Sequence, residues 1–241
     1  MTDPQVPGPA QRLRAVRARI AAACADAGRD PAEITLIAVS KGVPAARVAE
    51  MLVLGVADIG ENKAQEAAAK AAELSTMQVP APRWHFVGQL QRNKARTVAE
   101  FTSMVHSVDR LALITALDRV CAQRRDPLDV LVQLDLDPHP DPARGGARPE
   151  DLPAMAESIL KLQHLRLRGV MTLAPPGADA RTSFDRLVGY SELLQAIQPS
   201  ATVISAGMSG DLEAAISAGA THVRVGTALF GARKLASEHR T

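Results

Sequence analysis

Three short stretches carry residue types that could do chemistry together. The first is "ITLIAVSKGVP", from Ile34, where an apolar and β-branched run ends in Ser40 and Lys41. A lysine at the mouth of such a run is either a solvated charge or an amine held in place for reaction. The second is "GMSGDLEAAI", in which Gly207, Met208, Ser209 and Gly210 turn the chain into a segment with helical spacing that begins near Asp211. Free backbone N–H groups, a hydroxyl and closely approaching glycines make an anion cradle. The third is "RVGTALFG", where Gly226 and Thr227 supply another glycine and hydroxyl pair two residues beyond Arg224. An amine facing a phosphate cradle suits a phosphorylated aldehyde, because amine and aldehyde condense to an imine. Pyridoxal 5′-phosphate (PLP) is the natural candidate. A sugar-phosphate enzyme that uses the same two loops is the alternative.

Those stretches need elements that bring them together. Eight runs read as strands, beginning at Ile34, Val56, Arg83, Ser103, Asp129, Leu165, Thr202 and Thr221, and alanine-rich segments with helical spacing alternate with them. Most of these segments open on Asp, Asn, Ser or Pro, residues suited to a helix start. The alternation implies parallel pairing through right-handed crossovers, and eight units in 241 residues match a (β/α)8 TIM barrel spanning about residues 34–231. A doubly wound open sheet is the runner-up, without the glycine fingerprint such sheets carry after their first strand. Before the barrel, Leu13, Val16, Ile20 and Cys24 recur at helical spacing, which predicts an extra N-terminal helix ended by Gly28. No linker divides the chain, so a single domain over 1–241 is expected. In such barrels the site lies at the C-terminal ends of the strands, with phosphate on the loops after strands seven and eight. Lys41, Ser209, Gly226 and Thr227 all fall there. The long irregular piece from Asp137 to Asp151 is expected to be a mobile loop over one face.

Composition narrows the function classes. With 46% hydrophobic and 22% charged residues, and 28 basic against 26 acidic side chains spread along the chain, there is no basic tail for nucleic acid. One Trp, one Tyr and four Phe leave few platforms for stacking bases. The two cysteines, Cys24 and Cys121, lie far apart outside any metal-ligand spacing and read as small buried hydrophobes. No secretory leader and no membrane span are visible, so a cytoplasmic protein is expected.

Other polar residues have structural readings beside functional ones. Asn62, after strand two, is a helix N-cap or a group beneath a bound ring. His85 reads as a hydrogen-bonded core histidine. His106 and Asp109 stand three apart, on opposite faces of a strand, and so make no dyad. "QRNKAR", with Arg92, Lys94 and Arg96, reads as a solvated helix start.

"LIAVSKGVP", "GENKAQEA", "WHFVGQLQRNKAR", "VHSVDR", "LRGVMTL", "GMSGDLEAAI" and "VRVGTALFGAR" stand in the order found in the pyridoxal-phosphate homeostasis proteins of the YggS/PROSC type. The chain resembles that family over nearly its whole length. The resemblance implies a barrel similar to the N-terminal domain of alanine racemase, with PLP covalently held by Lys41. It implies Ser209, Gly226 and Thr227 as phosphate binders and Arg224 near the pyridine nitrogen. Arg224 and Gly226 are two apart and share a strand face, which fits this. An arginine keeps its proton and would leave the ring nitrogen unprotonated, which favours holding the cofactor over stabilising carbanions. Lys41 must be neutral to attack, and burial would favour that form. Lys63 stands where the family often has an aromatic, which suggests an outward position. Arg144 and Gly145 stand where it often has lysine and glycine, which weighs against a second lysine-based step.

The expected function is PLP homeostasis, as a buffer or by delivery to apo-enzymes that are its transient partners, in a monomer without robust catalysis of its own. A PLP-dependent racemase is the alternative. It needs a base on each face of the substrate, and the usual tyrosine belongs to a C-terminal β domain that this sequence lacks. The sole tyrosine, Tyr190, falls in the helix after strand six and reads as packing.

Overall fold

The computed structural model describes residues 7–137, 144–175, 177 and 179–231. Eight parallel strands close on themselves in sequence order: β1 (Thr35–Val39), β2 (Asp58–Glu61), β3 (Arg83–Phe86), β4 (Met104–Val108), β5 (Leu128–Leu134), β6 (Leu165–Thr172), β7 (Val203–Ser205) and β8 (His222–Val225). The last strand pairs with the first, placing Ile37 beside Arg224 and Ala38 beside Val225. The expected (β/α)8 barrel is thus formed. Each strand is shorter than its run; after β1, β7 and β8 the remaining residues form the turns at the mouth, while β2 is shortened at its N-terminal end.

The helices are α1 (Pro9–Asp26), α2 (Ala45–Val53), α3 (Ala64–Ser75), α4 (Ala95–Phe101), α5 (Leu111–Cys121), α6 (Leu152–Leu160), α7 (Ala180–Ile197), α8 (Leu212–Ala218) and α9 (Thr227–Phe230). Polar residues at helix starts do less capping than their types suggest. Asp179 accepts N–H bonds from Arg181 and Thr182 at the start of α7, whereas Asp211 does not cap α8 and instead accepts the Met208 N–H. No helix among the described residues is long and apolar enough to cross a membrane.

Aliphatic side chains fill the space between sheet and helices. Phe86, Phe184, Leu113, Leu117 and Leu128 are fully buried, each stabilising the fold by roughly 1.5–3 kcal/mol relative to exposure. Both cysteines are buried in this layer and unpaired, as expected. One glycine is structurally obligatory. Opposite β5, β6 accommodates an extra residue, Arg168, between Leu167 and Gly169. Gly169 takes φ +152°, and a Cβ there would lie 1.8 Å from the Val203 carbonyl oxygen.

The extra helix α1, begun by Pro9 and buried along Leu13, Val16, Ile20 and Cys24, lies against the end of the barrel chain. Its arginines secure the elements that carry the two glycine-hydroxyl turns. Arg12 donates from Nε to the Leu229 carbonyl at 2.7 Å, and Arg19 donates to the Ser209 carbonyl at 3.0 Å while pairing with Glu213. After α1, Arg29 binds the Ile216 and Ala220 carbonyls at 2.9 and 2.8 Å, closing the C-terminal end of α8. Of the predicted loop from Asp137 to Asp151, residues 138–143 lie outside the described residues. Its second half returns to the barrel, where Ala147 bridges to Leu134.

Candidate functional site

A cavity of about 600 Å³ opens at the C-terminal mouth of the barrel. Lys41, Asn62, Met208, Ser209, Gly210, Arg224, Gly226 and Thr227 all line it, so the eight residues singled out from the sequence meet around one space. They arrive from the ends of β1, β2, β7 and β8, which are neighbours only because the barrel closes between β8 and β1.

Lys41 occupies the turn after β1 and is exposed, which corrects the expectation that it is buried. What is buried is the apparatus that holds its turn. Ser40 is fully buried and donates its hydroxyl to Glu61 Oε1 at 2.6 Å. Lys70, on α3 and only 5% exposed, donates to the Ser40 carbonyl at 2.7 Å and forms an ion pair with the fully buried Glu61. Glu66 accepts from the Gly42 N–H and lies 3.4 Å from Lys70 Nζ. The residues on both sides of Lys41 are therefore anchored by side chains of β2 and α3, while its own amine stays reachable. Such anchoring fixes where the amine can go.

Asn62 is not a helix cap. Lys63 takes the N-cap position of α3 without a side-chain bond, and it is exposed as its outward reading required. Asn62 Oδ1 lies buried with no hydrogen-bond partner beside the cavity, a state that calls for a ligand donor or water. Its backbone is pressed by Gly88, where a Cβ would lie 2.3 Å from the Asn62 carbonyl oxygen.

Across the cavity, Gly207 turns out of β7 with φ +85°, and a Cβ there would approach the Ala215 Cβ to 2.6 Å. Only glycine lets this loop lie so close to α8. The loop after β7 touches the one after β8, where the Ala228 N–H donates to Ser209 Oγ at 3.4 Å. Ser209 and Thr227 thus present two hydroxyls beside Gly210 and Gly226.

Arg224 lines the cavity from within the barrel and is 4% exposed. It donates to Ser205 Oγ at 2.6 Å and to the Thr172 carbonyl at 2.8 Å. Burial lowers its pKa to about 10, so the guanidinium remains charged at neutral pH. Arg144, known from the sequence only as a departure from a family pattern, also lines the cavity. It donates to the Leu173 and Ala174 carbonyls and pairs with Asp137 at 3.2 Å.

His85 is a core histidine bonded to His106 and Asp58, as its strand position suggested. Asp109 pairs with Arg110 away from His106. His85, His106 and His222 gather with ring centroids 5.1–6.4 Å apart, although they come from β3, β4 and β8. Among the described residues no group of three His, Cys, Asp or Glu is arranged to hold a metal. A second cavity of about 750 Å³ lies beside the first and shares Gln89 with it. Asp109, Asp135, Asp137 and Glu150 line that space together with Arg110, Arg148 and Arg186, and no lysine is among its lining residues. Tyr190 stands there, on α7, rather than near Lys41.

A parallel barrel whose mouth sets a lysine opposite two glycine-hydroxyl turns matches the class described as the N-terminal domain of alanine racemase, over residues 12–234. Within that class are relatives that this chain matches over almost their whole length. The chain is 45% identical over 224 residues to the pyridoxal phosphate homeostasis protein of Pseudomonas aeruginosa, covering 93% of this chain and 95% of that one. It is 39% identical over 228 residues to the protein of the same name from Escherichia coli, covering 93% and 96%. The chain belongs to the pyridoxal phosphate homeostasis protein family. Among solved structures, PipY of Synechococcus elongatus with PLP bound superposes with a TM-score of 0.81 at 37% identity, over 93% of this chain and 100% of that one. Alanine racemase of Clostridium difficile shares the fold alone, with a TM-score of 0.66 at 15% identity over 92% of this chain and 57% of that one.

Proposed function

We propose that this protein binds pyridoxal 5′-phosphate in the 600 Å³ cavity and serves to hold the cofactor and hand it to apo-enzymes. The observation that carries this reading is the reachable amine of Lys41 sharing one cavity with the hydroxyls of Ser209 and Thr227 and the guanidinium of Arg224. The family membership and the PLP-bound structure of PipY support it.

The residues fit the group. PLP supplies an aldehyde electrophile on a phosphorylated pyridine ring. Lys41 Nζ would be the amine that meets the aldehyde, with Ser40, Glu61 and Lys70 keeping its turn in register. Ser209, Thr227 and the N–H groups around Gly210 and Gly226 bind the phosphate, with Met208 at the rim. Arg224 would donate to the pyridine nitrogen while keeping its own proton, and Asn62 Oδ1, buried beside the cavity without a partner, would be free to accept from the ligand. A holding role, rather than racemisation, is supported by the position of the sole tyrosine in the neighbouring cavity, which leaves Lys41 without an opposing phenolic base.

The test is uptake of PLP followed by its visible absorption. Wild-type protein is expected to turn yellow and Lys41→Ala to stay colourless. Equal colour in both would overturn the covalent assignment, and exchange of the α-hydrogen of added alanine in deuterated water would overturn the holding role.

A further inference from the structure

Asp58, His85, His106, Ser205 and Arg224 form an unbroken hydrogen-bonded chain through the barrel. Its links run from Arg224 Nη1 to Ser205 Oγ at 2.6 Å, from Ser205 Oγ to His106 Nδ1 at 2.9 Å, from His106 Nε2 to His85 Nδ1 at 2.9 Å and from His85 Nε2 to Asp58 Oδ1 at 2.9 Å. β4 and β7 are not neighbours in the sheet, so the contact between His106 and Ser205 crosses the lumen. All five residues are buried, Asp58 being additionally clamped from outside by Arg83.

With both histidines neutral, the carboxylate end sets the direction of every bond. A guanidinium can only donate, and a carboxylate can only accept. Ser205 therefore accepts from Arg224 and donates its hydroxyl to His106 Nδ1, His106 donates from Nε2 to His85, and His85 donates from Nε2 to Asp58. Each link turns a lone pair toward Arg224, which stabilises its positive charge. Among the described residues no carboxylate forms a salt bridge with Arg224; Asp211 is the carboxylate whose charge favours its protonated form, and the chain ending at Asp58 supplies the directed acceptors behind it. A core built only for packing has no need of four polar groups joined across its centre.

We propose that Asp58, His85, His106 and Ser205 are positioning residues that hold Arg224 as a fixed, charged donor toward the pyridine nitrogen of the bound cofactor. The proposal rests on the cofactor reading of the cavity. Ser205 takes one guanidinium N–H and the Thr172 carbonyl takes another, which fixes the plane of the group and leaves its remaining donors for the cavity. Without Ser205 or His106 that plane is lost, and the ring nitrogen is free to take a proton from solvent.

Two measurements test this. In the apo protein, long-range proton–nitrogen correlation spectra of the histidine side chains are expected to show His85 and His106 each carrying its proton on Nε2. A proton on Nδ1 of either, in place of Nε2, overturns the chain. The second uses PLP labelled with ¹⁵N at the pyridine nitrogen. The wild-type signal is expected in the range of an unprotonated ring, and Ser205→Ala and His106→Phe should move it toward the protonated range with about a tenfold rise in Kd. Asp58→Asn, whose amide oxygen can still accept from His85, should retain more of the wild-type signal than Asp58→Ala. Ser205→Ala removes a single oxygen and carries the comparison if His106→Phe fails to fold. A signal that responds to Arg224→Lys but stays at its wild-type position in Ser205→Ala and His106→Phe overturns the relay alone. A wild-type protein that takes up no labelled cofactor overturns the cavity reading and the relay with it.

Discussion

Replacing Lys70 with methionine tests how much the turn around Lys41 depends on its buried support. Lys70 is 5% exposed and Glu61 not at all, so the ammonium and carboxylate have almost no water to fall back on. In Lys70→Met the carboxylate keeps only the Ser40 hydroxyl at 2.6 Å on Oε1, while Oε2 already has no partner. The Ser40 carbonyl also loses its 2.7 Å donor. Breaking a buried pair from one side costs about 3–5 kcal/mol, because a buried charge is left uncompensated. Methionine returns roughly 1 kcal/mol through its apolar stem, so a net loss of about 2–4 kcal/mol is expected. Urea unfolding measures it as a fall in midpoint at unchanged slope. Glu61→Gln should recover part of the loss in the double variant, with a coupling of about 1–3 kcal/mol. A loss below about 1 kcal/mol, or additivity within about 0.5 kcal/mol, would refute the view that these two charges depend on one another.

Three further predictions concern acid stability and close packing. Burial, then the nearby His85, lowers the pKa of His222 to about 4, so its stabilising contribution is complete above pH 6.5 and is lost as pH falls toward 4. The loss amounts to about 3 kcal/mol, and His222→Gln should flatten the stability profile across that window. Against desolvation, hydrogen bonds from His85 and Arg83 hold Asp58 at about 2, a term present above pH 3.8 and lost by pH 2, worth up to about 2 kcal/mol. Asp58→Asn should remove it, and an unchanged profile between pH 4 and 2 would argue against the pairing. Gly88→Ala would drive a Cβ to 2.3 Å from the Asn62 carbonyl oxygen, and a backbone atom cannot step aside cheaply. A melting temperature lower by about 4–8 °C is expected, together with weakened PLP binding, since Asn62 must move.

Much of the barrel could be read from the chain because parallel strands buried on both faces leave continuous apolar runs; seven of the eight runs contain their strands, and β5 begins one residue before its run, at Leu128. The site was legible in the glycines around Ser209, whereas Gly226, expected on one strand face with Arg224, lies just past the end of β8 as the N-cap of α9. Lys70 left a signal that went unused. It lies on the stripe of Ala67 and Leu74, the buried face of α3, where a lysine must find a partner. The exposure of Lys41 was not legible, because a strand's apolar run says nothing about where the following turn points. Nor was the chain from Arg224 to Asp58. His106 and Ser205 are 99 residues apart on strands that never pair, and only closure of the sheet brings them within 2.9 Å.

The central claim is that the amine of Lys41 takes the aldehyde of PLP. Incubating the protein with PLP, reducing with borohydride and mapping the peptides by mass spectrometry tests it most directly. A single pyridoxyl-phosphate adduct on Lys41 at one equivalent per chain is expected, absent from Lys41→Ala. An adduct on another lysine of the wild type, or none on Lys41, would contradict it.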